Sequence, residues 1–416
     1  MSLIKNLSVY TTFSFIEKAI YFLLPMALTY YLSPDELGLL ANFTVLTQIF
    51  TILITMGTQT AVAVEYYKKV FDNFSSYVYT GLVNIVVSFL IMSISILLLS
   101  TVIEKFLFLP FKFSILIPII SLSVAVFGVI LAIFQTSKEV FLYGLSTLTK
   151  AILYLALTLS LLIIFNLGYS AVIFGLLISN ALVVFFLLFY LFKRKTITLS
   201  FNRLFSRDLI SFGLPLIPHT LGMMLIHSSD RIFISSMIDL DSLGIYHIGY
   251  TVTMIISLFI LVFNKAWVPY LFEYLKKADN DSISKIRKVS FYYLVIVFVI
   301  AIIISIGSPY FMELLLDERY HGASTYVPWI AFSFFLTAAT NFFSNFLTYD
   351  KFVKPFIYVT GFCTLLNLVL NYFFINIFGV IGAAYSTLIT FLILFIIMTY
   401  VSIRFSSQAK VVLGIN

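Results

Sequence analysis

The sequence predicts an all-α membrane protein: twelve transmembrane helices in two six-helix bundles related by pseudo-two-fold symmetry. Three observations predict it. First, 61% of the 416 residues are apolar, only 10% are charged, and the mean hydropathy is +1.08. Soluble domains run about 45–50% apolar and about 25% charged, and a globule of this length has too little interior to hide the excess. Second, several runs hold no Asp, Glu, Lys or Arg, among them Asn73–Ile103, Ala151–Phe192 and Pro355–Ile403. A helix needs roughly 20 apolar residues to cross the hydrocarbon, and the last two runs have room for two helices each. Third, short motifs recur at an offset close to half the chain.

The spans follow in order. The first set is Ser8–Leu32, Leu37–Val64, Tyr77–Thr101, Ser114–Phe134, Ser146–Phe165 and Tyr169–Leu191. The second is Leu209–Met237, Leu243–Lys265, Val289–Ile306, Ser324–Leu347, Phe356–Ile375 and Val380–Val401. The first segment is too long for the apolar region of a signal peptide, contains Glu17 and Lys18, and lacks a small-residue cleavage site, so it is expected to remain as a span. Asn166-Leu167-Gly168-Tyr169 and Asn376-Ile377-Phe378-Gly379 supply the turns within the two longest runs. Pro215 and Pro218 are expected to bend helix seven. The polar stretch 193–208 divides an N-terminal bundle, 1–192, from a C-terminal bundle, 209–416.

Internal symmetry supports that division. Leu32-Ser33-Pro34-Asp35-Glu36-Leu37-Gly38-Leu39 joins helices one and two. Ile238-Asp239-Leu240-Asp241-Ser242-Leu243-Gly244-Ile245 joins helices seven and eight. A weaker echo links Leu167-Gly168-Tyr169 to Phe378-Gly379-Val380. Six helices per half preserve orientation, which makes this a parallel repeat. Such repeats favour alternating access with a site between the halves.

The formal charge of +7 and the pI near 9.1 read as topology rather than as nucleic-acid binding. With the N-terminus in the cytoplasm, eighteen of the basic residues fall in cytoplasmic segments, against Lys105, Lys112 and Arg319 outside. That asymmetry predicts a multi-pass protein with both termini cytoplasmic. A single cysteine, Cys363, excludes an internal disulfide and any two-cysteine metal or redox motif. No cofactor and no metal site is expected. The longest outer connections, Val102–Phe113 and Gly307–Ala323, hold no acid/base constellation, so a membrane glycan polymerase or ligase fits poorly and the chain is expected not to be an enzyme.

The polar groups left inside the spans carry the functional signal, because a charge in a span is costly and normally faces protein or water. In helix one, Thr11, Ser14, Lys18, Tyr21 and Pro25 share a stripe beside Glu17; snorkelling, a structural pair and a cavity-facing role are the readings. In helix two, Thr44, Gln48, Thr51, Thr55 and Gln59 share a face that suits a lumen lining and interhelical glue equally. Asn367 and Asn371 of helix eleven suit packing or hinge roles. In helix seven, His219, Met223, His227 and Asp230 recur at helical spacing, and Arg231 lies one turn after His227. Asp230 and Arg231 either anchor the outer end of that helix or belong to a site. In helix eight, His247 and Tyr250 lie along one side. Spare cations with few acids suit an anionic substrate: a diphosphate needs Lys, Arg or His donors to leave water. Lys18, Arg231, His219, His227, His247 and Gln48 are the candidate substrate-binding residues, and Glu17 and Asp230 the candidate ion-coupling acids.

Ser33-Pro34-Asp35-Glu36-Leu37-Gly38 resembles a motif of polysaccharide-biosynthesis flippases. Phe212-Gly213-Leu214-Pro215-Leu216-Ile217-Pro218-His219 with Ser229-Asp230-Arg231 resembles their helix-seven signature. Asn264-Lys265-Ala266-Trp267-Val268-Pro269, the Asn367…Asn371 helix and Gly379-Val380-Ile381-Gly382-Ala383-Ala384 add to the likeness. Together these resemble the Wzx-type O-antigen flippases of the multidrug/oligosaccharidyl-lipid/polysaccharide exporter superfamily. The resemblance implies two six-helix bundles in a V. It implies an undecaprenyl-diphosphate-linked oligosaccharide moved across the bacterial inner membrane, coupling to H⁺ or Na⁺, and polysaccharide polymerases as partners. Lys18 and Arg231 match the family's basic cavity residues in kind. Helix two departs from a cationic lumen, carrying no charge between Glu36 and Glu65. The alternative is a multidrug/cation antiporter of the same superfamily.

Overall fold

Every regular element among the described residues of the computed structural model is helical, and those residues are 3–277, 279–350, 352 and 354–414, with the side chains of 3–11 and 354 excepted. The chain runs α1 (Leu3–Leu28), α2 (Pro34–Thr55), α3 (Thr58–Lys68), α4 (Phe74–Leu107), α5 (Phe111–Ser114), α6 (Leu116–Thr136), α7 (Val140–Ile163), α8 (Ser170–Lys193) and α9 (Arg203–Gly213). After a 3-10 turn at Leu214–Leu216 come α10 (Ile217–Met237), α11 (Leu240–Lys277) and α12 (Asn280–Leu315). A 3-10 stretch, Glu318–Thr325, leads to α13 (Val327–Tyr349), α14 (Lys354–Phe378), α15 (Val380–Phe405) and α16 (Ser407–Leu413). Among the described residues, 11 stretches are long and apolar enough to cross a membrane. With α1 they account for each expected span. The side chain of Thr11, expected in the stripe of helix one, lies outside the described residues.

Local chemistry sets the boundaries. The Ser33 N–H donates to Glu36 Oε2 at 3.1 Å, closing a capping box at the start of α2, with Pro34 in its first turn. At the matching position of the second half, Asp239 Oδ1 accepts the Ser242 N–H at 2.7 Å and starts α11. The repeated motif is therefore a repeated helix start. Both expected turns in the long apolar runs use left-handed backbone, at Gly168 (φ 55°) and Gly379 (φ 68°).

Helix two departs from the single span expected over Leu37–Val64. It breaks at Met56 (φ 46°) and Gly57 (φ 67°), which divide α2 from α3. The break meets the end of α9: a Cβ added to Gly213 would lie 1.7 Å from the Met56 carbonyl oxygen. Only a residue without a side chain lets these backbones touch. The bend expected from Pro215 and Pro218 is present as the 3-10 turn between α9 and α10.

The helices form two compact units, Met1–Met224 and Leu225–Asn416, which divide within α10. In the first, α7 packs against α1 and α8, and α6 against α2, α3, α4 and α8. Residues 203–208, expected in a linker, are the first turns of α9, which packs on α4. The Tyr77 hydroxyl donates to Asp208 Oδ2 at 2.7 Å, and Phe205 stacks near Phe71 and Tyr77. In the second unit α15 packs against α13 and α14, and α13 against α11 and α12. An apolar cluster around Trp267, Leu271, Ile286 and Phe346 takes in Ala409 and Val412 of α16. Arg287 holds that short helix by donating to the Val411 and Val412 carbonyls.

Candidate functional site

Within the second unit, α10 carries His227, Asp230 and Arg231 at spacings of three and four residues, which gather them toward one side of the helix. Asp230 is 1% exposed and Arg231 7%. Asp230 Oδ2 accepts from the Tyr246 hydroxyl of α11 at 2.6 Å, and Oδ1 accepts the Arg231 N–H at 2.9 Å. The Arg231 guanidinium donates to Ser228 Oγ at 2.9 Å and lies 4.6 Å from the centre of the Tyr250 ring. The Tyr250 hydroxyl is 3.1 Å from His227 Nδ1, and the imidazole packs against Phe391 of α15 and Phe334 of α13. His247 of α11 is within electrostatic reach of Arg231.

This arrangement has spare polar capacity. Among the described residues, the buried Arg231 Nε and His247 Nδ1 have no hydrogen-bond partner. A buried donor without an acceptor costs about 1–3 kcal/mol. Among the described residues no ion pair joins the Asp230 and Arg231 side chains. The carboxyl is held instead by a phenol and a backbone N–H.

A neutral polar network lies next along α10. Ser229 Oγ donates to Asn367 Oδ1 at 2.8 Å and accepts from Asn371 Nδ2 at 3.1 Å. Asn367 Nδ2 donates to Thr390 Oγ1 at 3.1 Å, and the Ser386 hydroxyl donates to Asn371 Oδ1. Packing or hinge roles are the expectation for the two asparagines; their hydrogen bonds tie α14 to α10 and α15.

Glu17 and Lys18 belong to a different place, in the first unit. Phe13 of α1 lies against Gly144 and Phe141 of α7, and Tyr21 stacks on Tyr154 at 5.8 Å between centroids. These contacts fix the register of two parallel helices and set residues 17 and 18 level with Lys150. Both charges act on Lys150, whose Nζ sits 4.2 Å from the centre of the Phe127 ring on α6. Little in the residue pattern points to Lys150, a lone cation next to a charge-free run; only the register of α1 against α7 groups it with Lys18.

The remaining candidates stand apart. His219 is half-buried on α10 within the first unit. Gln48 is exposed on α2, and among the described residues no hydrogen bond ties it to either cluster. On the same helix Thr44, Thr47, Thr51 and Thr55 each donate to the carbonyl four residues earlier, and Thr47's own carbonyl takes a further bond from Ser121 of α6. Tyr246 and Tyr250 complete the Asp230 cluster. Tyr246 was invisible to sequence spacing because its partner is on another helix.

Comparison with known proteins places the chain. The family model described as polysaccharide biosynthesis protein matches residues 3–275, and the MatE model matches residues 215–373. A Haemophilus influenzae protein described as an uncharacterized membrane protein is 29% identical over 384 residues, 88% of each chain. Among solved structures, an inward-facing multidrug resistance MATE family transporter of the MOP superfamily aligns with TM-score 0.77 and 14% identity, covering 99% of each chain. The lipid II flippase MurJ, in an inward closed conformation, aligns with TM-score 0.78 and 13% identity over 97% of this chain and 90% of that one. At such identities the structural likeness speaks for the fold alone, which the chain shares with these transporters. The family match covers well over half of the sequence, and the chain belongs to the polysaccharide biosynthesis protein family.

Proposed function

We propose that the protein is a flippase. It moves an undecaprenyl-diphosphate-linked oligosaccharide, the repeat unit of O-antigen or a related surface polysaccharide, from the cytoplasmic to the periplasmic leaflet of the bacterial inner membrane by alternating access. The observation that carries the reading is Arg231: a membrane-buried guanidinium with an unfilled Nε, in a chain of the polysaccharide biosynthesis family. A diphosphate is the kind of group that such a donor recognises. Lys18 and Lys150 offer two further cations in the other unit, and Glu17 offsets part of their charge while no substrate is present. His227 and His247 flank Arg231. Asp230, held by Tyr246, is the acid through which H⁺ or Na⁺ couples to movement. No bond is made or broken in this scheme, so no cofactor is needed; the product is handed to a polysaccharide polymerase on the far side. Both termini face the cytoplasm.

The test is depletion of the protein in its own host with radiolabelled sugar precursors. Lipid-linked repeat units should accumulate on the cytoplasmic face, and Arg231→Ala should fail to restore export at normal membrane levels. Undiminished periplasmic delivery in a deletion strain without paralogues sinks the reading. A second reading, a multidrug/cation antiporter, is favoured by the MatE match over α10–α14 and by the buried Asp230. Unchanged surface polysaccharide with new sensitivity to cationic dyes would select it.

A further inference from the structure

α9 has a second face that the packing does not use. Phe205, Leu209 and Gly213 are buried, with Phe205 against Phe71 and Tyr77. The only acid of the helix, Asp208, is turned inward by the Tyr77 hydroxyl, and Ser206 Oγ donates to Asn84 Oδ1 at 2.8 Å. Arg203, Leu204, Arg207, Ile210, Leu214 and Pro215, together with Ser206 and Ser211, line a groove of about 790 Å³. Leu204 is 69% exposed and Leu214 55%, so this apolar wall is uncovered by the protein. Arg203 and Arg207 lie one turn apart on α9, and among the described residues neither has an ion pair or a side-chain hydrogen bond.

We propose that this groove binds an anionic phospholipid of the surrounding leaflet, its headgroup phosphate on Arg203 and Arg207 and an acyl chain along Leu204, Ile210 and Leu214. Charge complementarity selects the occupant. Two adjacent guanidiniums without a carboxylate match a phosphate, which they can grip in bidentate fashion. The apolar wall beside them matches a chain rather than a free anion. An amphipathic helix with arginines above exposed leucines has the composition of an interfacial lipid-binding helix. The site lies on the segment leading into α10, so an occupied groove would bear on that helix. The inference is independent of the transported substrate.

Native mass spectrometry of the full-length protein in detergent, titrated with phosphatidylglycerol or phosphatidylcholine, tests it. Phosphatidylglycerol adducts should exceed phosphatidylcholine adducts and fall roughly tenfold in the double variant R203Q/R207Q, with helicity unchanged by circular dichroism. As a second measurement, a tryptophan placed by Leu204→Trp in vesicles should be quenched more by brominated phosphatidylglycerol than by brominated phosphatidylcholine. Equal retention of the two lipids, or undiminished adducts in the double variant, overturns the proposal. So does displacement of the phospholipid by a stoichiometric polyprenyl diphosphate, which would assign the groove to a transported lipid. If the double variant does not fold, the quenching comparison decides alone, and equal quenching by the two lipids overturns the proposal.

Discussion

Lys150 and Tyr246 take their chemistry from side chains on other helices. The Lys150 ammonium lies against the Phe127 ring beside Glu17 and Lys18. If it acts on substrate, its charge matters more to transport than to folding. Lys150→Met keeps the apolar stem and removes the charge, so export should drop while the thermal midpoint stays level or rises, since an apolar replacement of a buried ion is often neutral or stabilising. Lys150→Arg should retain part of the export. Complementation of surface polysaccharide, with membrane levels measured in parallel, checks both. Tyr246→Phe leaves the 1%-exposed Asp230 carboxyl short of its phenol donor, which should destabilise the second unit by about 1–3 kcal/mol. The single cysteine provides the readout: Cys363 is fully buried, so a thiol-reactive dye labels it only as that unit opens, and the labelling midpoint should fall.

At the scale of elements, helix starts and stops follow local rules, and contacts between elements do not. At the equivalent starts of α2 and α11, Glu36 reaches back to the Ser33 N–H and Asp239 accepts the Ser242 N–H, because polar side chains there reach backbone N–H groups within one turn. Asp279 does the same for α12. Its carboxylate accepts the Ser282 N–H, which holds it below the usual carboxylate range. Its small stabilising effect is therefore present above the ordinary Asp range and is lost as the pH falls through the lowered value. By contrast, no local rule says that the Met56–Gly57 break must meet Gly213. Gly213→Ala puts a methyl into the Met56 carbonyl oxygen, at 1.7 Å before any movement. The backbone must shift, costing about 1–3 kcal/mol. The expected outcome is a lower melting temperature for the variant, and a wild-type midpoint would show that the α9 junction is slack.

For the whole molecule, the basic residues of the connections make a topological prediction. Lys195→Cys should be labelled by a membrane-impermeant maleimide only from the cytoplasmic side, and Glu318→Cys only from outside, with the buried Cys363 silent in intact vesicles. Labelling of both positions from one side would overturn the proposed orientation. Two α-helical units and their long apolar helices were legible beforehand because lipid allows few alternatives. A backbone in hydrocarbon must satisfy its own hydrogen bonds, so apolar length alone specifies a helix. His227, Asp230 and Arg231 could be grouped from spacing because they share α10; His247, on the next helix, could not be joined to them that way.

Composition and spacing thus determined by themselves that this chain is a helical membrane protein, where its apolar spans lie, and where its two longest apolar runs turn. Those properties are local, set by side-chain solubility and by the reach of a capping oxygen over one helical turn. The tertiary structure decided the partners. It gave Asp230 to Tyr246 and stacked Arg231 on Tyr250. It drew Lys150 level with Lys18, and it left Arg203 and Arg207 facing outward while Asp208 turned in. Each of these depends on the register between helices. Register is fixed by packing details such as Phe13 against Gly144, and a hydrophobic pattern with the same period along every helix carries no record of it.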